Sequence, residues 1–134
     1  MENKLVIPSK IENLRKVEKA VDELSSANNF HSDLYGNILI ATLEAANNAI
    51  LHGNKQDESK MVEISFNIDE DNTKLVINVI DQGTGFDYNN IPDPTAPENI
   101  ENISGRGIFL MEKLSDGIKF FDEGKHVEIT FKLN

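Results

Sequence analysis

The sequence predicts an α+β fold in which a mostly antiparallel, mixed sheet carries helices on one face, forming a two-layer sandwich. Helical periodicity fills two stretches in the first part of the chain, residues 11–28 and 32–53. Further along, two pairs of segments alternate apolar with polar residues, and a short turn rich in Asp, Asn or Gly separates the members of each pair. Helices and antiparallel strands that come in runs imply this class.

The first helix is predicted to begin just after Pro8. The segment Ser9–Glu12 matches a capping box, in which Ser9 would cap the helix and Glu12 would bond back to it. Asn28 and Asn29 are predicted to end the helix. Its apolar positions recur on one side at Ile11, Leu14, Val17, Val21 and Leu24.

The second helix is predicted to run from an N-cap at Ser32 to a left-handed C-cap at Gly53. Gly36 lowers its helix propensity for no evident reason. Its apolar stripe is Leu39, Leu43, Ala46 and Ile50, and its opposite side carries a line of polar residues spaced by four, Glu44, Asn48 and His52.

Two antiparallel hairpins are predicted, with a loop and a third helix between them. The first hairpin pairs residues 62–68 with 75–80 and leads into Asp81; the second pairs 117–121 with 127–133. Tyr88–Ser104 lacks periodicity and is rich in Pro, Asn and Asp, as a functional lid or a disordered segment would be. Residues 108–114 are predicted to form the third helix.

Composition limits the class of protein. A chain of 134 residues is expected to form one domain, 1–134, and its lack of cysteine excludes disulfides and thiolate metal sites. The net charge of −10 argues against a direct nucleic-acid partner. No apolar run is long enough to cross a bilayer and no secretory signal is visible, so we expect a cytoplasmic protein without a membrane partner.

The polar line on the second helix is the first candidate for chemistry. Asn48 offers the neutral amide oxygen that Mg²⁺ accepts when nucleotide phosphates supply the remaining ligands. Glu44, one turn earlier, could accept the proton of an attacking hydroxyl or position a water. An ordinary surface Glu–Asn pair is the alternative. His52 either caps the helix C-terminus or takes part in catalysis.

The second candidate is Asp81-Gln82-Gly83-Thr84-Gly85, at the end of a predicted strand. The Asp81 carboxylate can accept a hydrogen bond from an exocyclic amine and cannot donate one. Gly83 and Gly85 allow a tight turn and a close approach to a flat ring. A turn without function is the alternative.

The third candidate is Gly105-Arg106-Gly107, immediately before the third predicted helix. Two glycines there would expose backbone N–H groups at a helix N-terminus, which suits phosphate. Arg106 would add a charged, forked donor. The alternative is a simple turn into the helix.

The three candidates occur in an order that resembles a known family. EAANNAILHGN, VIDQGTGFD and DPTAPENIENISGRGIFLMEKLSD resemble the ATP-binding (Bergerat-type, GHKL) fold of gyrase, MutL and histidine kinases, and most of all the bacterial anti-sigma-factor serine kinases. Nearly the whole chain is covered. One departure is Asn47 beside Asn48, which leaves open which amide meets the metal. No segment resembles the phosphoacceptor-histidine hairpin of a complete histidine kinase.

The resemblance implies ATP and Mg²⁺ as cofactors and assigns roles to the candidate residues. Glu44 would be the catalytic base, Asn48 the Mg²⁺ ligand and Asp81 the adenine-reading carboxylate. Gly83 and Gly85 would line the base pocket, and Gly105, Arg106 and Gly107 would lie at the phosphates.

The resemblance also implies partners. The protein would phosphorylate a serine of an anti-anti-sigma antagonist protein and sequester a sigma factor, and family members often act as homodimers. The alternative is a nucleotide-gated binding module without significant kinase activity, in which Glu44 is structural. A plain structural domain would need three ordered motifs by accident.

Overall fold

The chain forms an antiparallel sheet with helices packed on one of its faces. A computed structural model describes residues 2–83 and 103–133, with side chains for residues 3–83 and 107–133. The elements in chain order are β1 (Glu2–Pro8), a 3₁₀ turn (Ile11–Asn13), α1 (Leu14–Asn28), α2 (Ser32–Asn48), a π-helical turn (Ala49–Gly53), β2 (Met61–Ile68), β3 (Lys74–Ile80), α3 (Ile103–Leu114), β4 (Gly117–Phe121), a second 3₁₀ turn (Asp122–Gly124) and β5 (His126–Lys132). The described part contains no helix that is both long and apolar enough to cross a membrane.

The sheet has the strand order β1-β2-β3-β5-β4, and each pairing within the described residues is antiparallel. The predicted α+β class and both predicted hairpins are confirmed, although no parallel pair is present among these strands. Sequence analysis missed β1, an edge strand. Its sequence does not alternate apolar with polar residues, because Leu5, Val6 and Ile7 are all apolar. In the structure Val6 is nevertheless 52% exposed, whereas Ile7 is fully buried.

The core lies between the sheet and the helices. Alternate residues of β2, β3 and β5 point into it, and α1 contributes Val17, Val21 and Leu24 as predicted. Helix α2 packs against both α1 and α3, so its buried face is wider than the predicted stripe. Leu39 and Leu43 are only half-buried, whereas Ala41 and Ala45 beside the polar line are buried.

Three predicted helix caps are wrong. Ser9 is fully buried and donates its hydroxyl to the carbonyl of Lys60 at 2.6 Å, so a long-range partner takes the group that would cap a helix. At the start of α2 the cap is His31, whose Nδ1 accepts from the N–H of Leu34 at 3.2 Å. Gly53 is not left-handed, because a π-helical turn extends α2 as far as this residue.

Helix α3 begins five residues earlier than predicted, at Ile103. Gly105, Arg106 and Gly107 therefore lie within its first turns, not before it. Residues 103 and 104 of the predicted lid are helical, and its residues 88–102 lie outside the described residues. Glycine, which disfavours helix in isolation, is held here by the packing of α3 against α2.

Candidate functional site

A cavity lies where the C-terminal end of α2 meets α3 and the adjacent ends of β3 and β5. It brings Asn48 and Asp81, 33 positions apart in sequence, to one space. Its lining is mostly apolar with a few polar groups, as is usual in small-molecule sites. The lining residues are Ala45, Asn48, Ala49, His52, Gly53, Val79, Asp81, Ile108, Met111, Phe120, Gly124, Lys125 and Val127.

Glu44 and Asn48 converge under α3, as their spacing of one helical turn predicts. A Cβ on Gly107 would lie 2.9 Å from Glu44 Oε2 and 3.0 Å from Asn48 Nδ2. The backbone of α3 thus passes directly over both side chains, and only glycine fits at the crossing without displacing them. This is the structural reason for Gly107, and it links the first and third sequence candidates.

The amide of Asn48 is buried without a partner. Both its Nδ2 and its Oδ1 lack a hydrogen bond among the described residues. Leaving such a group unsatisfied costs about 1–3 kcal/mol, and a buried amide of this kind is normally satisfied by an ordered water, an ion or a ligand. No group of three His, Asp or Glu side chains within the described segments could hold a metal. One amide oxygen facing a cavity therefore fits a Mg²⁺ ion whose other ligands come from phosphates and water.

Asp81 lies at the end of β3, where the sheet meets the cavity. Its N–H donates to the carbonyl of Lys125 at 2.8 Å, and its Oδ1 accepts from the N–H of Gly83 at 2.8 Å. Burial raises the pKa of the Asp81 carboxyl, and the Gly83 N–H and the charges of Lys125 and Lys60 offset part of the rise. The carboxylate is thus a half-buried acceptor at the rim of an apolar cavity.

The backbones of Gly53 and Gly83 touch beside Asp81. A Cβ on Gly83 would lie 1.9 Å from the Gly53 carbonyl oxygen, and a Cβ on Gly53 would lie 2.4 Å from Asp81 Cγ. The π-helical turn sets this arrangement, because its wider winding carries Gly53 to the strand end. Gly83 is therefore needed for a backbone contact, and it does not line the cavity.

The structure describes the remaining predicted site residues only in part. Gly105 and Arg106 lie in the first turn of α3, where the side chain of Arg106 is not described, and Gly85 lies outside the described residues. His52 lies in the π-helical turn and lines the cavity with an exposed ring.

Sequence analysis missed several residues of the site, chiefly Lys125, Phe120 and Asn54. Lys125 adjoins Asp81 because Ile80 pairs with His126 in the β3–β5 register. The predicted hairpins did not reveal this pairing, since β3 and β5 are separated by α3 and β4 in sequence. Asn54 is 1% exposed and bonds to the N–H of Gln82, next to Asp81. The Gly53–Asn54 dipeptide signals only a helix end.

Comparisons with known families and proteins agree on one family. Residues 7–131 match the family described as Histidine kinase-like ATPase domain. The chain is 30% identical to Serine-protein kinase RsbW of Listeria innocua over 97% of its length and 86% of that protein. It is 31% identical to Serine-protein kinase RsbW of Bacillus licheniformis over 95% of its length and 82% of that protein.

Two solved structures share the fold at low sequence identity. The RsbU and RsbW domains of a Mycobacterium tuberculosis protein align with a TM-score of 0.68 at 16% identity, covering 98% of this chain and 32% of that chain. The histidine kinase domain of an Erythrobacter litoralis blue-light activated histidine kinase aligns with a TM-score of 0.55 at 19% identity, covering 95% of this chain and 62% of that chain.

Proposed function

Because the chain belongs to the histidine kinase-like ATPase domain family, in its serine-protein kinase branch, we propose that it transfers the γ-phosphoryl group of ATP to a protein serine. We propose that residues 1–134 act as one ATP-binding domain and that the acceptor is a small antagonist of the anti-anti-sigma type. We also propose that the domain sequesters a sigma factor.

The observation that carries this proposal is the buried amide of Asn48, which has no hydrogen-bond partner within residues 3–83 and 107–133. It lines the same cavity as Asp81 and lies beside Glu44 under Gly107. A structural Asn would have bonds, as the buried Asn54 does. A ligand that supplies a metal ion near Asn48 and an amine near Asp81 satisfies both, and Mg-ATP is such a ligand.

Each residue then has one task in the reaction. Asp81 accepts a hydrogen bond from the adenine amine, and the apolar residues of the cavity cover the ring. Asn48 would hold Mg²⁺, which, when bound, reduces the negative charge on the phosphates. Gly105, Arg106 and Gly107 would lie near the phosphates, and Gly83 and Gly85 near the base.

Glu44 is proposed as the catalytic base. Its carboxylate takes the proton of the serine hydroxyl while the serine oxygen bonds to the γ-phosphorus and the bond from that phosphorus to the ADP oxygen breaks. The products are phosphoserine, ADP and a proton that leaves Glu44 for solvent. Such general base catalysis contributes typically about 10²–10⁴-fold.

The close packing of Gly107 on Glu44 favours a second function. A Cβ on Gly107 would lie only 2.9 Å from Oε2, so the α3 backbone lies against one oxygen of the carboxylate, although Glu44 is only half-buried. A nucleotide-gated binding module, in which Glu44 is structural, would use the same residues without phosphotransfer.

Phosphotransfer to a candidate antagonist separates the two functions. Wild type and Glu44→Gln are incubated with Mg-ATP and the antagonist, and phosphoserine is measured by mass spectrometry. We expect labelling by wild type, and a rate about 100-fold or more lower for Glu44→Gln with unchanged ATP affinity. Glu23→Gln, at an exposed position of α1, is the matched control and should label at the wild-type rate.

Two results would contradict these assignments. ATP binding without labelled antagonist would reject the kinase function and leave the binding module. Full transfer by Glu44→Gln would reject Glu44 as the base.

A further inference from the structure

A cluster of hydrogen-bonded polar groups adjoins Asp81; Ser9 and Asn54 in it are buried, and Gln82, the residue after Asp81, is exposed. We call it the Asn54 cluster; it comprises Ser9, Asn54 and Gln82 with the backbone of Lys60 and Met61. Ser9 is 0% and Asn54 is 1% exposed, and with Thr42 they are the buried polar residues of the described chain. Neither Ser9 nor Asn54 lines the cavity.

Every polar atom of the Asn54 side chain is used. Its Nδ2 donates to Ser9 Oγ at 2.8 Å and to the Met61 carbonyl at 3.0 Å, and its Oδ1 accepts from the N–H of Gln82 at 2.7 Å. The Gln82 side chain closes the cluster, since its Oε1 accepts from the N–H of Met61 at 2.7 Å. The Asn54 side chain is thus fully satisfied at a buried position, and such a network holds its members in one arrangement.

The bond to Gln82 fixes the segment that carries the Asp81 carboxylate. Gln82 follows Asp81 directly, and the next N–H, that of Gly83, donates to Asp81 Oδ1 at 2.8 Å. The N–H of Asp81 itself is held by Lys125. The turn after β3 is thus fixed at three consecutive N–H groups, and Asn54 supplies the middle partner from another part of the chain.

We infer that Asn54 is a positioning residue for nucleobase selection, acting through the Gln82 N–H to aim the Asp81 carboxylate at the exocyclic amine. The inference rests on the proposed function, since it concerns how the same site reads adenine. Asn54 follows the π-helical turn directly, so the end of α2 contributes both Asn48 for the metal and Asn54 for the base.

Nucleobase preference distinguishes this role from simple support of the fold. Adenine presents an amine where guanine presents a carbonyl, so an ionised, well-aimed carboxylate accepts from one and repels the other. A displaced carboxylate loses that discrimination, whereas general destabilisation lowers binding of both nucleotides equally. The quantity to measure is therefore the ratio of the Kd for Mg-GTP to the Kd for Mg-ATP.

The experiment compares Asn54→Ala with wild type by calorimetric titration at a temperature where both are folded. We expect the ratio to fall about tenfold or more in Asn54→Ala, because ATP affinity drops while GTP affinity is nearly unchanged. Asn54→Ser, whose shorter side chain does not reach the Gln82 N–H, replaces the alanine variant if that protein does not fold, and the same fall is expected.

Two further variants make the result specific. Asn54→Asp keeps the acceptor oxygen for the Gln82 N–H and should retain most of the wild-type ratio, although it places a carboxylate in a buried position. Thr42→Ala is the matched control, because Thr42 is equally buried and its hydroxyl donates within α2, to the Ile38 carbonyl at 2.7 Å. It should lower stability and leave the ratio unchanged.

The outcomes separate this inference from the proposed function. If wild type prefers ATP and Asn54→Ala keeps the same ratio, the inference is overturned and the proposed function stands. If Thr42→Ala lowers the ratio as much as Asn54→Ala, the effect is general destabilisation and the inference is again overturned. If wild type binds neither nucleotide, the proposed function fails and the inference falls with it.

Discussion

At the scale of single residues, two polar side chains in the cavity are held in environments that disfavour them. Among the residues that the structure describes, the amide of Asn48 has no partner, and burial raises the pKa of the Asp81 carboxyl. Both are destabilising for the protein by itself. Binding residues are often placed in this way, because the ligand supplies the missing interactions.

Replacing Asp81 tests whether its buried carboxylate lowers the stability of the protein, because that effect depends on pH. An acid whose pKa is raised by folding binds its proton more tightly in the native state, so its ionisation lowers stability as the pH rises above the ordinary value of 3.8. Asp81→Asn keeps an acceptor for the Gly83 N–H. We expect it to be more stable than wild type at pH 7, with the difference shrinking as the pH approaches 4, in thermal melts without nucleotide.

The same substitution should weaken ATP binding about 10- to 100-fold, because a charge-assisted hydrogen bond is lost. Asp116→Asn is the control, because Asp116 is exposed and does not line the cavity, and it should leave ATP binding unchanged. Equal melting temperatures of Asp81→Asn and wild type at every pH would contradict the burial argument.

At the scale of elements, the end of α2 decides the shape of the site. The α-helix passes at Asn48 into a π-helical turn, closed by a bond from the Asn54 N–H to the Ala49 carbonyl at 2.8 Å. Hydrogen bonds between residues five apart widen the helix here, and the Gly53 backbone lies against Asp81 and Gly83. Glycine at position 53 therefore allows the π-helical turn to pack closely against the end of β3.

Two glycines of the α2 region offer a matched test. A Cβ on Gly53 would lie 2.4 Å from Asp81 Cγ, whereas a Cβ on Gly36 would meet nothing within 4 Å. We expect Gly53→Ala to displace the Asp81 carboxylate and weaken ATP binding at least tenfold. Gly36→Ala should leave binding unchanged and stabilise the protein by about 0.5–1 kcal/mol, since alanine favours helix.

Fluorescence titration with a labelled ATP analogue and urea unfolding measure the two effects. Wild-type nucleotide affinity in Gly53→Ala would show that the contact with Asp81 has no part in binding. A destabilised Gly36→Ala would show that this glycine has a role that its open surroundings do not reveal.

At the scale of the whole molecule, ligand binding and stability are coupled. The site joins α2, α3 and the β3 and β5 ends, so one ligand ties together elements that are distant in sequence. The net charge of −10 opposes an anionic nucleotide, and local groups must offset it. We infer that a Mg²⁺ ion and the N–H groups of α3 do so.

A thermal shift measures this coupling. Mg-ATP at 100 times its Kd should stabilise wild type by about 2.7 kcal/mol, or about 10 °C in a domain of this size. Asn48→Ala should lose the part of the shift that depends on Mg²⁺, measured as the difference between Mg²⁺ and EDTA buffers. Without nucleotide, the variant should be no less stable than wild type, because it removes an unsatisfied amide.

The same magnesium-dependent shift in Asn48→Ala and wild type would reject the metal role. Asn47→Ala, at the adjacent half-buried amide, serves as the comparison and decides which of the two asparagines acts. A shift in neither buffer for wild type would reject nucleotide binding altogether.

The sequence by itself determined the fold class, both hairpins and the candidate residues Glu44, Asn48 and Asp81. Periodicity reports which side of an element is buried, and spacing by four reports which helical residues are neighbours. Both are local properties. They hold whatever the rest of the chain does.

Only the tertiary structure decided the edge strand β1, the roles of Ser9 and Gly53, neither of which caps a helix as predicted, and the partners of Asp81. Ser9, Asn54 and Gln82 meet across 28 to 73 positions of sequence, and Lys125 reaches Asp81 through a strand pairing that no turn specifies. Hydrogen bonds between distant groups form only when the chain has packed. A polar residue that looks like a local cap or turn takes whichever partner the packed chain offers.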